Sequence, residues 1–164
     1  MVQRPRVSTF SIVARDGVTG DLGIAVESKF LAVGAVVPWA CAGIGAVATQ
    51  AYANVAYGPD GLVMLGTGLS AQETLDKLLE DDAERDERQV GIVDAQGRAA
   101  SWTGPGCTSW AGGHVDDGFC CQGNILTGPE VVDAMVEGYT TTGGTFANRL
   151  LSALEAGQAA GGDS

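Results

Sequence analysis

RVSTFSIVARDGVTGDLGIAVESKFLAVG, residues 6–34, decides the fold. It reads as two apolar strands around a polar turn. Residues 7–14 mix Val, Phe, Ile and Ala with Ser and Thr, the composition of a strand. RDGVTGD then brings two glycines and two aspartates, which is turn chemistry. LGIAVES is the return strand. Set among these apolar residues are hydroxyls at Ser8, Thr9, Ser11 and Ser28 and opposite charges at Glu27 and Lys29. Two explanations compete. Either Thr9 and Ser11 are strand formers on a half-buried surface and Glu27 pairs with Lys29 for structural reasons, or these groups belong to a site.

Downstream, LAVGAVVPWA and AGIGAVATQ read as a third and a fourth strand. Nearly every position in them is small or apolar, as in strands covered on both faces. SAQETLDKLLEDDAERDE sets Leu75, Leu78 and Leu79 at helical spacing behind a capping box of Ser70 and Glu73. RQVGIVDAQGRAASWTG is a hairpin signal, and DGFCCQGNIL reads as another strand. GPEVVDAMVEGY and TFANRLLSALEAG read as amphipathic helices. The expected helices cover residues 70–80, 129–139 and 144–156 and lie outside the sheets. Strands, a helix, more strands, then helices is not βαβ alternation. It predicts one α+β domain of mostly antiparallel sheet covered by helices.

The chain has 164 residues, 45% of them hydrophobic, enough for one domain with a real core. A formal net charge of −11, with nine Lys and Arg in all, argues against a nucleic-acid partner. No apolar run spans a bilayer, so no membrane partner is expected. MVQRPRVS has no apolar segment behind its basic residues, so it is not a secretory signal. Cys41, Cys107, Cys120 and Cys121 lack the spacing of a disulfide scaffold, which predicts reduced thiols and a cytoplasmic location. No metal is expected either. Cys120 and Cys121 are adjacent on a strand, so their thiols point to opposite faces. GTG and TGPGCTSWAGG lack the Gly-Lys-Ser/Thr of a phosphate loop, and no cofactor is expected.

TFSIVARD, LGIAVESKFLAVGAVVPWA, GAVATQAYAN and QGNILTGPEVVDAM together resemble the DUF1028 family, placed in the N-terminal-nucleophile (Ntn) hydrolase-like superfamily. The resemblance covers almost the whole chain. It implies a four-layer αββα sandwich. It also implies a mechanism: a Thr, Ser or Cys at a free N-terminus attacks an amide carbonyl, and its own α-amino group takes the proton. That amine has an unperturbed pKa of about 7.7–8.0 and is a usable base near neutral pH. Glu27, Ser28 and Lys29 are similar to the acidic-Ser-basic triplet that ends the second strand of proteasome-type enzymes. Thr9 falls where their nucleophile would be. The resemblance thus implies an amidohydrolase acting on a small molecule or peptide, with Thr9 as nucleophile and Glu27 and Lys29 as electrostatic support. Residues 1–8 form a leader to be removed from a domain of residues 9–164. Proteasome-type enzymes carry a further lysine on the third strand, which VVPWACAGIG does not supply. Ser8 and Ser11 are alternative hydroxyls if the register differs. The resemblance also implies a further strand after GGD at residues 161–163. A chain shortened there leaves a sheet edge open, so homo-oligomerisation is expected.

Other residues are candidates for substrate binding. Gln50, Tyr52 and Asn54 follow an apolar strand, where polar side chains line pockets or tie turns. Gln122 and Asn124 end another strand, with amides suited to a substrate carboxylate or an oxyanion. His114 is the only histidine, and a second route pairs it as general base with Cys107, oriented by Asn124 or Asp116. A different class of function uses the same fold as a non-catalytic ligand-binding or assembly module.

Overall fold

In the computed structural model, which describes residues 7–162, the opening hairpin forms as its sequence predicts. Strands β1 (Thr9–Arg15) and β2 (Leu22–Ser28) pair antiparallel, Thr9 opposite Ser28 and Arg15 opposite Leu22. Asp16 ties the turn by accepting the backbone N–H groups of Val18 and Thr19 at 2.8 and 2.9 Å. Gly20 closes it at φ 79°, a left-handed conformation that favours glycine.

The remaining strands are β3 (Pro38–Cys41), β4 (Gly45–Ala51), β5 (Arg88–Asp94), β6 (Ala99–Thr103), β7 (Gly112–Asp116) and β8 (Phe119–Asn124). The helices are α1 (Tyr57–Gly66), α2 (Ala71–Glu80), α3 (Glu130–Thr141) and α4 (Phe146–Ala159). The described strands make two antiparallel four-stranded sheets, in the orders β2-β1-β8-β7 and β3-β4-β5-β6. No helix among the described residues is long and apolar enough to cross a membrane.

Strand alternation divides the core in three. Phe10, Ile12 and Ala14 of β1 pack with Val131, Val132 and Met135 of α3 and with Leu150 and Ala153 of α4. Val47, Val90 and Ile92 of the second sheet pack with Tyr57 and Leu65 of α1 and with Leu75 and Leu78 of α2. Val13, Ala46, Ala48, Val93 and Cys120 fill the space between the sheets. Each full burial of a Val, Ile, Leu or Phe contributes about 1.5–3 kcal/mol, so these layers supply the main driving force. Cys120 belongs to the inter-sheet cluster and Cys121 to the α3/α4 cluster, opposite faces of one strand. Burial pushes the Cys120 thiol up to about 12.

The helix expectations match closely at α2, α3 and α4. Ser70 caps α2 in a reciprocal capping box with Glu73, and Thr145 caps α4 by accepting from the Asn148 N–H. One local expectation is corrected, and two elements go beyond those expected. Residues 31–37, read as strand, instead form a left-handed turn at Ala32 (φ 62°) and a 3-10 turn, Val33–Ala35, in which Val36 and Val37 both donate to the Val33 carbonyl. Helix α1, Tyr57–Gly66, was not anticipated. Its Gly58, Pro59 and Gly61 give it poor propensity, and packing on β3 and β4 overrides that. The strand around His114, β7, was not anticipated.

Candidate active site

The antiparallel order brings the start of β1, the end of β2, the end of β4, the start of β5 and the end of β8 to one end of the molecule. Thr9 pairs with Ser28 on one side and Asn124 on the other, and Ala51 pairs with Arg88. A cavity of about 410 Å³ opens there, within the range of small-molecule sites. Thr9, Gln50, Tyr52 and Arg88 give it polar groups, and Phe30, Val33, Val36 and Val37 form an apolar wall. Three non-glycine residues among those described have positive φ, and all sit at this end. Ala51 (64°) lines the cavity, Ala32 (62°) lies in its wall segment, and Ile125 (56°) follows Asn124. Each such conformation costs on the order of 1 kcal/mol, and strain of this kind concentrates at functional sites.

Thr9, Ser11 and Val13 face the second sheet, because Phe10, Ile12 and Ala14 face the helices. Thr9 is 5% exposed, and its Oγ1 lies 2.9 Å from Ser28 Oγ. Ser28 Oγ donates to the Ser8 carbonyl at 2.7 Å and accepts the Phe30 N–H at 3.0 Å. Behind Thr9 lies a buried amide network. Ser11 Oγ donates to Gln50 Oε1 at 2.6 Å and accepts from Gln122 Nε2 at 2.7 Å. Gln50 Nε2 and Asn124 Nδ2 both donate to Gln89 Oε1, at 2.8 and 2.9 Å. Gln89 Nε2 in turn reaches Thr103 Oγ1 and the Gly112 and Gly123 carbonyls. Gly91 admits this packing, since a Cβ there would overlap the Gln122 amide.

Arg88 is the cation of the site. Its Nε and Nη2 donate to Asp82, Nη2 also to Glu84, and Nη1 to the Tyr52 carbonyl. Tyr57 donates to Asp82 Oδ2 at 2.6 Å. The Arg88 hydrogen bonds hold the Asp82 carboxyl well below the usual carboxylate range, and Asp82 holds Arg88 up. Burial and the Asp82 hydrogen bond push the Tyr57 hydroxyl above its ordinary value. Because the folded Asp82 pKa lies below the unfolded one, its stabilisation is full above about pH 5 and is lost as pH falls through the unfolded value towards the folded one. The urea midpoint of the wild type should therefore drop between about pH 5 and about pH 3, and Asp82→Asn should flatten that drop. Parallel curves would show that this pair carries no acid sensitivity.

The sequence-predicted residues divide accordingly. Thr9, Gln50 and Tyr52 line the cavity and Ser28 touches Thr9. Glu27 corrects an expectation. It pairs with Phe10, faces α4, and lines a groove with Leu151, Leu154 and Gln158, on the opposite face of the sheet from the Thr9 hydroxyl. Lys29 is exposed, one residue past the end of β2, and is not part of the cavity lining. Asn54 ties the turn before α1, accepting the Ala56 N–H and reaching Asp82. Gln122 and Asn124 are buried in the amide network behind the cavity. His114 lies on β7 beside Phe119, with Asp116 at 3.9 Å, facing the same side as Cys121 and α3. Cys107 donates to the Arg88 carbonyl, and burial pushes its thiol up. The structure thus does not join Cys107 and His114 in one site. Sequence reading missed Arg88 and Gln89, which open β5 in ERQV.

The comparisons agree with this architecture. A solved structure, the crystal structure of protein SPO2555 from Silicibacter pomeroyi, of family DUF1028, superposes with a TM-score of 0.91 at 32% identity, covering 94% of this chain and 69% of that one. A search of curated proteins finds no match. The model of DUF1028, described as a family of unknown function, matches residues 9–164, so the chain belongs to the DUF1028 family.

Proposed function

We propose that this protein is an N-terminal-nucleophile amidohydrolase on a four-layer αββα sandwich, with Thr9 as nucleophile after release of residues 1–8. The two antiparallel sheets, each packed against a pair of helices, support the sandwich. The observation that carries the chemistry is Thr9, which lines the cavity and whose hydroxyl is hydrogen-bonded to Ser28. A free α-amino group on Thr9 would stand beside that hydroxyl as its base, so no histidine is needed. The wall of Phe30, Val33, Val36 and Val37 favours a substrate whose acyl side is apolar, and Gln50 is the polar group beside it. Asp82 and Glu84 already answer the Arg88 charge, so a carboxylate substrate gains little from it.

Intact-mass measurement of the purified protein, read beside a screen of small amides and peptides, tests this. Loss of residues 1–8 together with amide hydrolysis is expected. Hydrolysis with residues 1–8 still attached overturns the mechanism. A chain of full mass that binds small molecules without turnover leaves the cavity as a ligand-binding module.

A further inference from the structure

We infer that Ser28 is the proton relay for self-cleavage of the Ser8–Thr9 peptide bond, a role that rests on the amidohydrolase reading above. In the uncleaved chain the Thr9 nitrogen is an amide and cannot serve as base, so cleavage needs another route for the hydroxyl proton. The hydrogen bonds of Ser28 supply one. A serine hydroxyl has one proton and two acceptor positions. Its proton is committed to the Ser8 carbonyl, at 2.7 Å. One acceptor position takes the Phe30 N–H, at 3.0 Å. The remaining contact, 2.9 Å to Thr9 Oγ1, therefore has Thr9 as donor. The nucleophile's proton thus points at an oxygen whose own proton points at the carbonyl to be attacked.

The register explains why this residue holds the position. Thr9 and Ser28 are directly opposed in the antiparallel pair, so their side chains share the face towards the second sheet. Glu27, one residue earlier, is turned to α4 and cannot reach. Phe30 closes a turn over the hydroxyl and fixes its rotamer.

The step balances without an external base. Thr9 Oγ1 bonds to the Ser8 carbonyl carbon, and the carbonyl π electrons move to its oxygen. Thr9 gives its proton to Ser28 Oγ, and Ser28 gives its own to the former carbonyl oxygen. The five-membered cyclic adduct is neutral, so no ion is created beside the buried Thr9 side chain. Collapse breaks the C–N bond. The adduct hydroxyl gives up its proton, the Thr9 nitrogen gains one, and an ester joins Ser8 to Thr9 Oγ1. Water then hydrolyses the ester, releasing residues 1–8 with a terminal carboxylate and leaving Thr9 with a free amine and hydroxyl.

The test follows cleavage by intact mass in a cell-free translation, where synthesis sets time zero, for wild type, Ser28→Ala, Ser28→Thr and Thr9→Ala. General acid–base assistance is worth about 10²–10⁴-fold, so Ser28→Ala should slow release of residues 1–8 by about 100-fold or more, and Ser28→Thr should restore it to within about tenfold. The wild-type rate should fall along a curve, not a line, as D₂O replaces H₂O, because two protons move together. A wild type that never cleaves overturns the proposed function and the relay together. A wild type that cleaves, with Ser28→Ala cleaving within about threefold of it, overturns the relay alone and leaves the function standing. A linear isotope dependence, or Ser28→Thr as slow as Ser28→Ala, also overturns the relay, and the isotope measurement needs no variant to fold.

Discussion

Thr9→Ala is expected to keep residues 1–8 on the chain and to abolish amide hydrolysis while the fold survives. Alanine has no oxygen to attack the Ser8 carbonyl, so self-cleavage stops at its first step. The attached peptide then keeps the residue-9 nitrogen as an amide and occupies the place of a substrate carbonyl. Loss of a nucleophile costs about 10⁴-fold or more in other hydrolases, and here both processing and turnover go through the same oxygen. The structural cost is small by comparison. Ser28 keeps its bonds to the Ser8 carbonyl and the Phe30 N–H, so one hydroxyl bond and one methyl group are lost, about 1–2 kcal/mol against a typical stability of 5–15 kcal/mol. Circular dichroism and a thermal melt should therefore remain close to wild type. Thr9→Ser keeps the oxygen and should retain both cleavage and hydrolysis at reduced rates. Release of residues 1–8 from Thr9→Ala at the wild-type rate would show that the nucleophile lies elsewhere. Cys107 is a poor replacement, because burial disfavours its thiolate.

How much of this was legible in the sequence depended on whether the signal was local. The hairpin of β1 and β2 declared itself, because strand composition and an Asp-Gly turn are properties of neighbouring residues. The same holds for α2, where Ser70 and Glu73 announce the start. Helix α1 did not declare itself, because its Gly-Pro-Asp-Gly start has turn chemistry and its stability comes from Trp39 and Val47 across the sheet. Within the site, Thr9 and Gln50 could be picked out as strand-terminal polar residues. Glu27 was assigned from the resemblance of Glu27-Ser28-Lys29 to a family triplet, although strand geometry sends consecutive side chains to opposite faces. Arg88 and Gln89 were missed because their partners, Asp82, Tyr52, Gln50 and Asn124, include residues more than 30 positions away. A run such as ERDERQV looks like solvated charge until the sheet is assembled.

Gln89 should be the least replaceable polar residue of the fold, and Gln89→Leu is expected to destabilise it by about 3–5 kcal/mol. The substitution conserves volume, so the loss is not a cavity. What changes is the pairing of five groups. Gln50 Nε2 and Asn124 Nδ2 lose their short acceptor, and Thr103 Oγ1 and the Gly112 and Gly123 carbonyls lose a donor. The Gln50 Nε2 and Asn124 Nδ2 donors keep only contacts of 3.4–3.5 Å to the Thr9 and Gln122 carbonyls, while Gln50 Oε1 still accepts from Ser11 Oγ. A buried group left without its partner costs about 1–3 kcal/mol, and partial relaxation keeps the sum below the full count. Gln89→Glu separates this account from simple crowding. A carboxyl at this fully buried position has its folded pKa raised, so the neutral form is bound in the folded state. Above the unfolded value of about 4.3 the variant then pays increasingly for holding a proton that the unfolded chain has lost. Its urea midpoint should approach that of the wild type near pH 4 and fall away as pH rises to 7, whereas the deficit of Gln89→Leu should stay constant over that range. Equal and pH-independent losses for both variants would mean that shape, and not pairing, fixes this layer. Because Gln50 reaches the cavity from the same network, both variants should also slow hydrolysis under conditions where they remain folded, with Gln89→Glu recovering as pH falls and Gln89→Leu not.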